Sequence, residues 1–188
     1  MYRALFLVGF GYLALSGVWV LKHRPHDAKP DHPTAQIRYS SGQEWFAAIK
    51  QFCNTVEAEI AQRNRPAPDT PEGQGYSAAC YALGGKIDLA RATIDRLPSG
   101  VRPAAANIVF NVAHPVADAG DDRSAGPIME LVVGYIPDHY MALYHAGMSE
   151  YALGQPDLAR EHLQSFLQYY HANDGWTRNA QDALARLR

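Results

Sequence analysis

Met141-Ala-Leu-Tyr-His-Ala-Gly-Met-Ser-Glu-Tyr-Ala-Leu-Gly154-Gln-Pro-Asp-Leu-Ala159-Arg-Glu-His-Leu163 is the stretch that decides the fold. It holds two helix-forming segments joined at Gly154, with small residues at Gly147 and Ala159. Small side chains at those two places let the helices approach closely, while Leu143 and Leu163 fill the space alongside. Gly154 permits the tight turn between them. The same order of small, turn, small and large residues occurs twice upstream, as Ala78, Gly85, Ala90, Ile94 and as Ala113, Gly120, Ala125, Met129. Ala90, Ala125 and Ala159 are 35 and 34 residues apart. Repetition at that period predicts stacked helix-turn-helix units.

Outward from this register, the helices of the first unit are expected over 73–84 and 88–97, and those of the second over 104–117 and 124–134. The third takes 138–153 and 157–169, and a last helix over 180–187 closes the stack with a charged outer face. Upstream, Trp45, Phe46, Ile49, Phe52, Cys53, Val56 and Ile60 recur at intervals of three and four. They read as the apolar face of one long helix from Gln43 to near Arg63, ending before Pro66. Ser41 with Glu44 has the form of a capping box at its start. Pro115 is expected to kink the first helix of the second unit, and Pro127 requires the following helix to begin near Ser124. No strand-like alternation of useful length occurs, so the class is all-α.

The chain has 188 residues and a net charge of −2, with 17 Lys plus Arg against 19 Asp plus Glu. No basic run stands out in the folded part, which argues against a nucleic-acid partner. Ala4 to Leu21 is uncharged and long enough for one membrane span, flanked by Arg3 and by Lys22, His23 and Arg24. Tyr2 and Trp19 suit the interfaces. The alternative is a cleaved signal peptide, since Ala14-Leu15-Ser16 has the small-x-small form of a cleavage site; the apolar run continues past it, which favours an uncleaved anchor. Residues 1–22 are therefore expected to anchor the chain in lipid through 4–21. Residues 23–42, with Pro25, Pro30 and Pro33, read as a tether, and 43–188 as the helical domain.

Only two cysteines occur, Cys53 and Cys80. They fall at similar depths on adjacent antiparallel helices, so a disulfide is geometrically open to them; two small buried hydrophobes is the other reading, and the compartment decides. Positive charge around the span, taken alone, would leave the following domain in the cytoplasm. The short amino tail and the paired cysteines point instead to an extracytoplasmic domain, on the periplasmic side of a bacterial inner membrane.

The repeat pattern resembles the tetratricopeptide repeat family, over roughly Gly73 to Tyr170. Tyr81-Ala-Leu-Gly84 matches Tyr151-Ala-Leu-Gly154, and Asp88-Leu-Ala-Arg91 matches Asp157-Leu-Ala-Arg160. The resemblance implies a solenoid of about three units whose first helices line a groove that receives a peptide. Carried over by position, the groove residues are Asn107, Phe110 and His114 in the second unit and Met141, Tyr144, Met148 and Tyr151 in the third. Such a set suits peptide recognition: aromatics give area at low entropy cost and methionines adapt.

Other chemistry lacks its residues. There is no Cys-x-x-Cys for haem, zinc or redox work. His23, His26 and His32 are separated by prolines that prevent a preformed metal site. Asp118-x-x-Asp121-Asp122 lacks the spacing and bidentate Glu of a calcium loop. His114, Asp118 and Ser124 are near in sequence but have no nucleophile elbow. No enzyme activity, cofactor or metal is expected. The function expected is a membrane-anchored protein-interaction module that binds or positions a partner during assembly of a membrane complex. The alternative is a permanent structural subunit of such a complex.

Overall fold

Gly85, Gly120 and Gly154, the three turn glycines of the repeat, all adopt left-handed backbone, with φ of 71°, 78° and 74°. No other residue described in the computed structural model, which covers residues 38–187, has positive φ. A side chain at these positions would be strained, so the glycines fix where each hairpin turns.

Around those turns the hairpins form as pairs. The chain runs α1 (Gly42–Ile49), a 3₁₀ turn (Lys50–Phe52), α2 (Ala58–Asn64), α3 (Pro71–Leu83) and α4 (Ile87–Asp95). A second 3₁₀ turn (Ser99–Val101) leads to α5 (Arg102–Asp118), α6 (Asp122–Val133), α7 (Tyr140–Ala152), α8 (Pro156–Tyr169) and α9 (Gly175–Arg186). The units are α3/α4, α5/α6 and α7/α8. Helix α3 packs on both α4 and α5, α6 packs on α7, and α9 covers the open end of α7/α8. The described residues are all-helical, without strands.

Packing follows the small-and-large register. Ala90, Ala125 and Ala159 are fully buried, as are Ile94, Met129 and Leu163. A Cβ added to Gly147 would sit 2.7 Å from Leu163 Cγ, so the third hairpin closes only because that position is bare. Helix starts are individually capped. The Gly73 and Ser124 amides donate to Thr70 and Asp121, and the Ala142 amide donates to His139 Nδ1 at 3.2 Å. Asp174 accepts from the amides of Trp176 and Thr177, which starts the last helix five residues earlier than its apolar pattern indicated.

The long helix expected from Gln43 to Arg63 is broken. Cys53 leaves helical backbone (φ −80°, ψ 62°), and Asn54 Oδ1 accepts from the amides of Val56 and Glu57, an Asx turn that competes with the helix. Val56 and Ile60, placed on the apolar face by their spacing, are instead 79% and 56% exposed. The capping box at Ser41 is half formed. The Glu44 amide donates to Ser41 Oγ, but the Glu44 carboxylate accepts from the Ser40 amide and not from that of Ser41. Helix α5 continues through Pro115 for its last turn, and α6 starts at Asp122, with Pro127 in its second turn. The span expected at 4–21 and residues 23–37 of the tether expected over 23–42 lie outside the described residues, among which no helix is long and apolar enough to cross a membrane; the end of that tether already caps and begins α1, at Ser41 and Gly42.

Cys53 and Cys80 form a disulfide that joins the break after α1 to α3 across a sequence separation of 27. It lies in a small core with Trp45, Ile49 and Ala58. Closing a loop of that length restricts the unfolded chain by about 3.5 kcal/mol. Cys53→Ser/Cys80→Ser is therefore expected to lower unfolding free energy by about that amount in denaturant titration. The native chain should resist alkylation until reduced; two free thiols labelled in intact cells would contradict the bridge.

Candidate functional site

The seven positions carried over to the groove divide by burial. Asn107 is exposed, and His114, Met141, Met148 and Tyr151 are partly buried. Phe110 and Tyr144, expected to be open to a ligand, are 7% and 5% exposed. The physical reason is that the chain fills this part of the groove itself. Trp176, from the early start of α9, meets Tyr144 edge-on at 4.7 Å, and Asn179 reaches the Tyr144 hydroxyl at 3.4 Å. Phe110 stacks on His114 at 4.8 Å and lies 4.1 Å from the His139 ring.

The remaining residues fall into two places. Met141 packs with Phe110 against the core of the first two units. Met148 and Tyr151 pack with Tyr144 in the core of the third. Met148 and Tyr151 also form one wall of a shallow recess of about 150 Å³, whose other wall is Asn179, Asp182, Ala183 and Arg186 of α9. Apolar and aromatic surface thus faces amide and charged groups across a narrow cleft. That arrangement suits a peptide, with side chains on one wall and backbone on the other.

The acidic turn does several separate tasks. Asp121 caps α6, and Asp122 Oδ1 accepts from the Ser149 hydroxyl at 3.2 Å. Asp118 faces a pair of histidines: its Oδ1 lies 3.5 Å from His114 Nε2 and 3.6 Å from His145 Nε2. Ser124 donates its backbone amide to this Asp121 cap.

His145 was not singled out by the sequence. It is 6% exposed and edge-on to His114 at 5.0 Å, with Tyr144 and Trp176 on its other sides. Burial, and then the neighbouring His114, push its pKa down to about 4, against the opposing pull of Asp118. The usable signal was positional. Met148 is 34 residues on from His114, and His145 lies one helical turn before Met148. Trp176 likewise falls 34 residues after Ala142, where a fourth unit would begin.

One family model matches the unit that carries the strongest pattern. The tetratricopeptide repeat family model matches residues 141–170, which run from the second residue of α7 through the turn and α8 to Tyr170. The match supports a tetratricopeptide-like repeat there. No curated protein and no solved structure matches the chain significantly. Repeats of this family are generally non-catalytic modules that bind protein partners.

Proposed function

We propose that the chain is a membrane-anchored interaction module, held in lipid through residues 4–21 and tethered by 23–42, that binds a peptide segment of a protein partner. The binding cleft is the recess between α7 and α9, and its partner belongs to a membrane complex that the module helps to assemble. The observation that carries the reading is that Met148 and Tyr151, two positions the repeat register assigns to the ligand face, line a recess against Asn179, Asp182 and Arg186. The Cys53–Cys80 disulfide supports an oxidising compartment, and with it a periplasmic domain.

The test uses the full chain solubilised in mild detergent, with recovered proteins identified by mass spectrometry. Met148→Ala/Tyr151→Ala should keep the helical content of the parent with a modestly lowered melting temperature, because both side chains are partly buried against the core of the third unit. Recovery of the partner should be lost. A folded variant that recovers the same proteins would show that binding uses another surface.

A further inference from the structure

We propose that His114, His145 and Asp118 form a binding site for one first-row divalent transition metal ion of the zinc type. Their donor atoms, two imidazole Nε2 and one carboxylate oxygen, all lie within 4.8 Å of one another. Two are one turn apart on α5, and the third is on α7, so the site joins the first helices of the second and third units. Facing helices that each contribute inward-pointing His and carboxylate ligands are a recurrent way of building metal centres in helical proteins.

The distances separate an ion site from an ordinary histidine–aspartate contact. A direct hydrogen bond would bring nitrogen and oxygen to about 2.8 Å. The two His–Asp separations are instead 3.5 and 3.6 Å. Bonds of about 2.0–2.1 Å to a tetrahedral ion place neighbouring donors about 3.4 Å apart. Asp118 thus stands at close to the edge length of a coordination tetrahedron from each histidine.

The second observation is that both nitrogens lack any partner. His114 Nε2 and His145 Nε2 are shut off from solvent and make no hydrogen bond. His145 is more than nine-tenths buried, and its Nε2 is aimed at the same carboxylate oxygen. One orphaned buried donor or acceptor is uncommon, and two facing a shared carboxylate call for a group between them. The rings are positioned in advance: Phe110 stacks on His114, and Tyr144 and Trp176 hold His145 edge-on. Asp118 is about half exposed, which leaves an entry path and room for water as a further ligand.

Metal binding would be measured on the full chain, without an added histidine tag, stripped by chelator and kept in mild detergent. Calorimetric titration with Zn²⁺ should give one ion per chain with micromolar or tighter affinity. Co²⁺ in its place should give the visible absorption of a four-coordinate site. His114→Gln and Asp118→Asn replace partly exposed side chains and should fold as the parent does by circular dichroism. Each should weaken Zn²⁺ by at least about 100-fold, since even the outer partners of ligating histidines are worth about 10–100-fold.

His23, His26 and His32 are rival donors. A variant with all three replaced by Asn should bind as the parent does. If that variant loses the ion while His114→Gln keeps it, the site is in the tether and the proposal fails. If the parent binds no Zn²⁺, or both single variants bind it undiminished, a bridging water alone occupies the space between the histidines and the proposal is overturned.

Discussion

Phe110→Ser/Tyr144→Ser is expected to unfold the second and third units rather than merely abolish binding. Both rings are nearly fully buried, and deleting a buried aromatic side chain costs about 3–5 kcal/mol. Phe110 supports His139, whose Nδ1 caps α7, so its loss loosens the start of that helix as well as the core. Tyr144 sits 5.1 Å from Phe166 and 4.7 Å from Trp176, so its loss loosens the packing of α9 on α7. The two residues belong to different core clusters that touch through His114 and His145, so their costs should add in large part but not fully. Together they approach the whole stability of an ordinary domain, about 5–15 kcal/mol. Thermal melting followed by circular dichroism checks this. A double variant that melts with the parent would return both rings to an open groove.

That outcome separates what the sequence made legible from what it did not. The hairpin register was legible because it rests on properties of single residues. Only glycine takes positive φ cheaply, and it does so at Gly85, Gly120 and Gly154. Only a small side chain fits at Ala90, Ala125 and Ala159. The groove was less legible because exposure depends on what else covers a face. Tyr144 occupies a ligand position within its unit, but Asp174 starts α9 early enough to lay Trp176 over it. Periodicity failed after Cys53 for a related reason. Val56 and Ile60 keep helical spacing with the residues before them, yet the Asn54 Asx turn separates them from that helix. The pairing of His114 with His145 depends on the lateral offset between neighbouring units, which spacing along one chain does not give.

The other large effect is expected at Glu150, a carboxylate only 1% exposed on α7. His162 of α8 answers it, with its Nδ1–H donating to both carboxylate oxygens at 2.8 Å. That hydrogen bond raises the His162 pKa above 6.5 against the opposing effect of burial, and the charges of Glu150, Glu161 and Glu130 add to it. Glu130 reaches the pair from α6; burial, then the Glu150 charge, raises its own pKa, while His162 and Arg91 lower it. Removing the donor by His162→Leu leaves a buried, unpaired carboxylate, at a cost of about 3–5 kcal/mol. Removing both ends, in Glu150→Leu/His162→Leu, should recover most of that loss, because two packed apolar side chains carry no desolvation cost.

The pH dependence has a definite sign. Because the folded state holds the His162 proton more tightly than the unfolded chain, its contribution is fully present below pH 6.5. It is lost as pH rises through the raised folded value, with a slope of at most about 1.4 kcal/mol per pH unit. Denaturant titrations of the parent and of Glu150→Gln from mildly acidic to mildly alkaline pH isolate this contribution. The advantage of the parent over Glu150→Gln should shrink as pH rises, since the variant lacks the charge that holds the proton. An advantage that stays constant, or grows with pH, would mean that His162 meets the Glu150 carboxylate as a neutral imidazole and that an ion pair does not stabilise the α7–α8 hairpin.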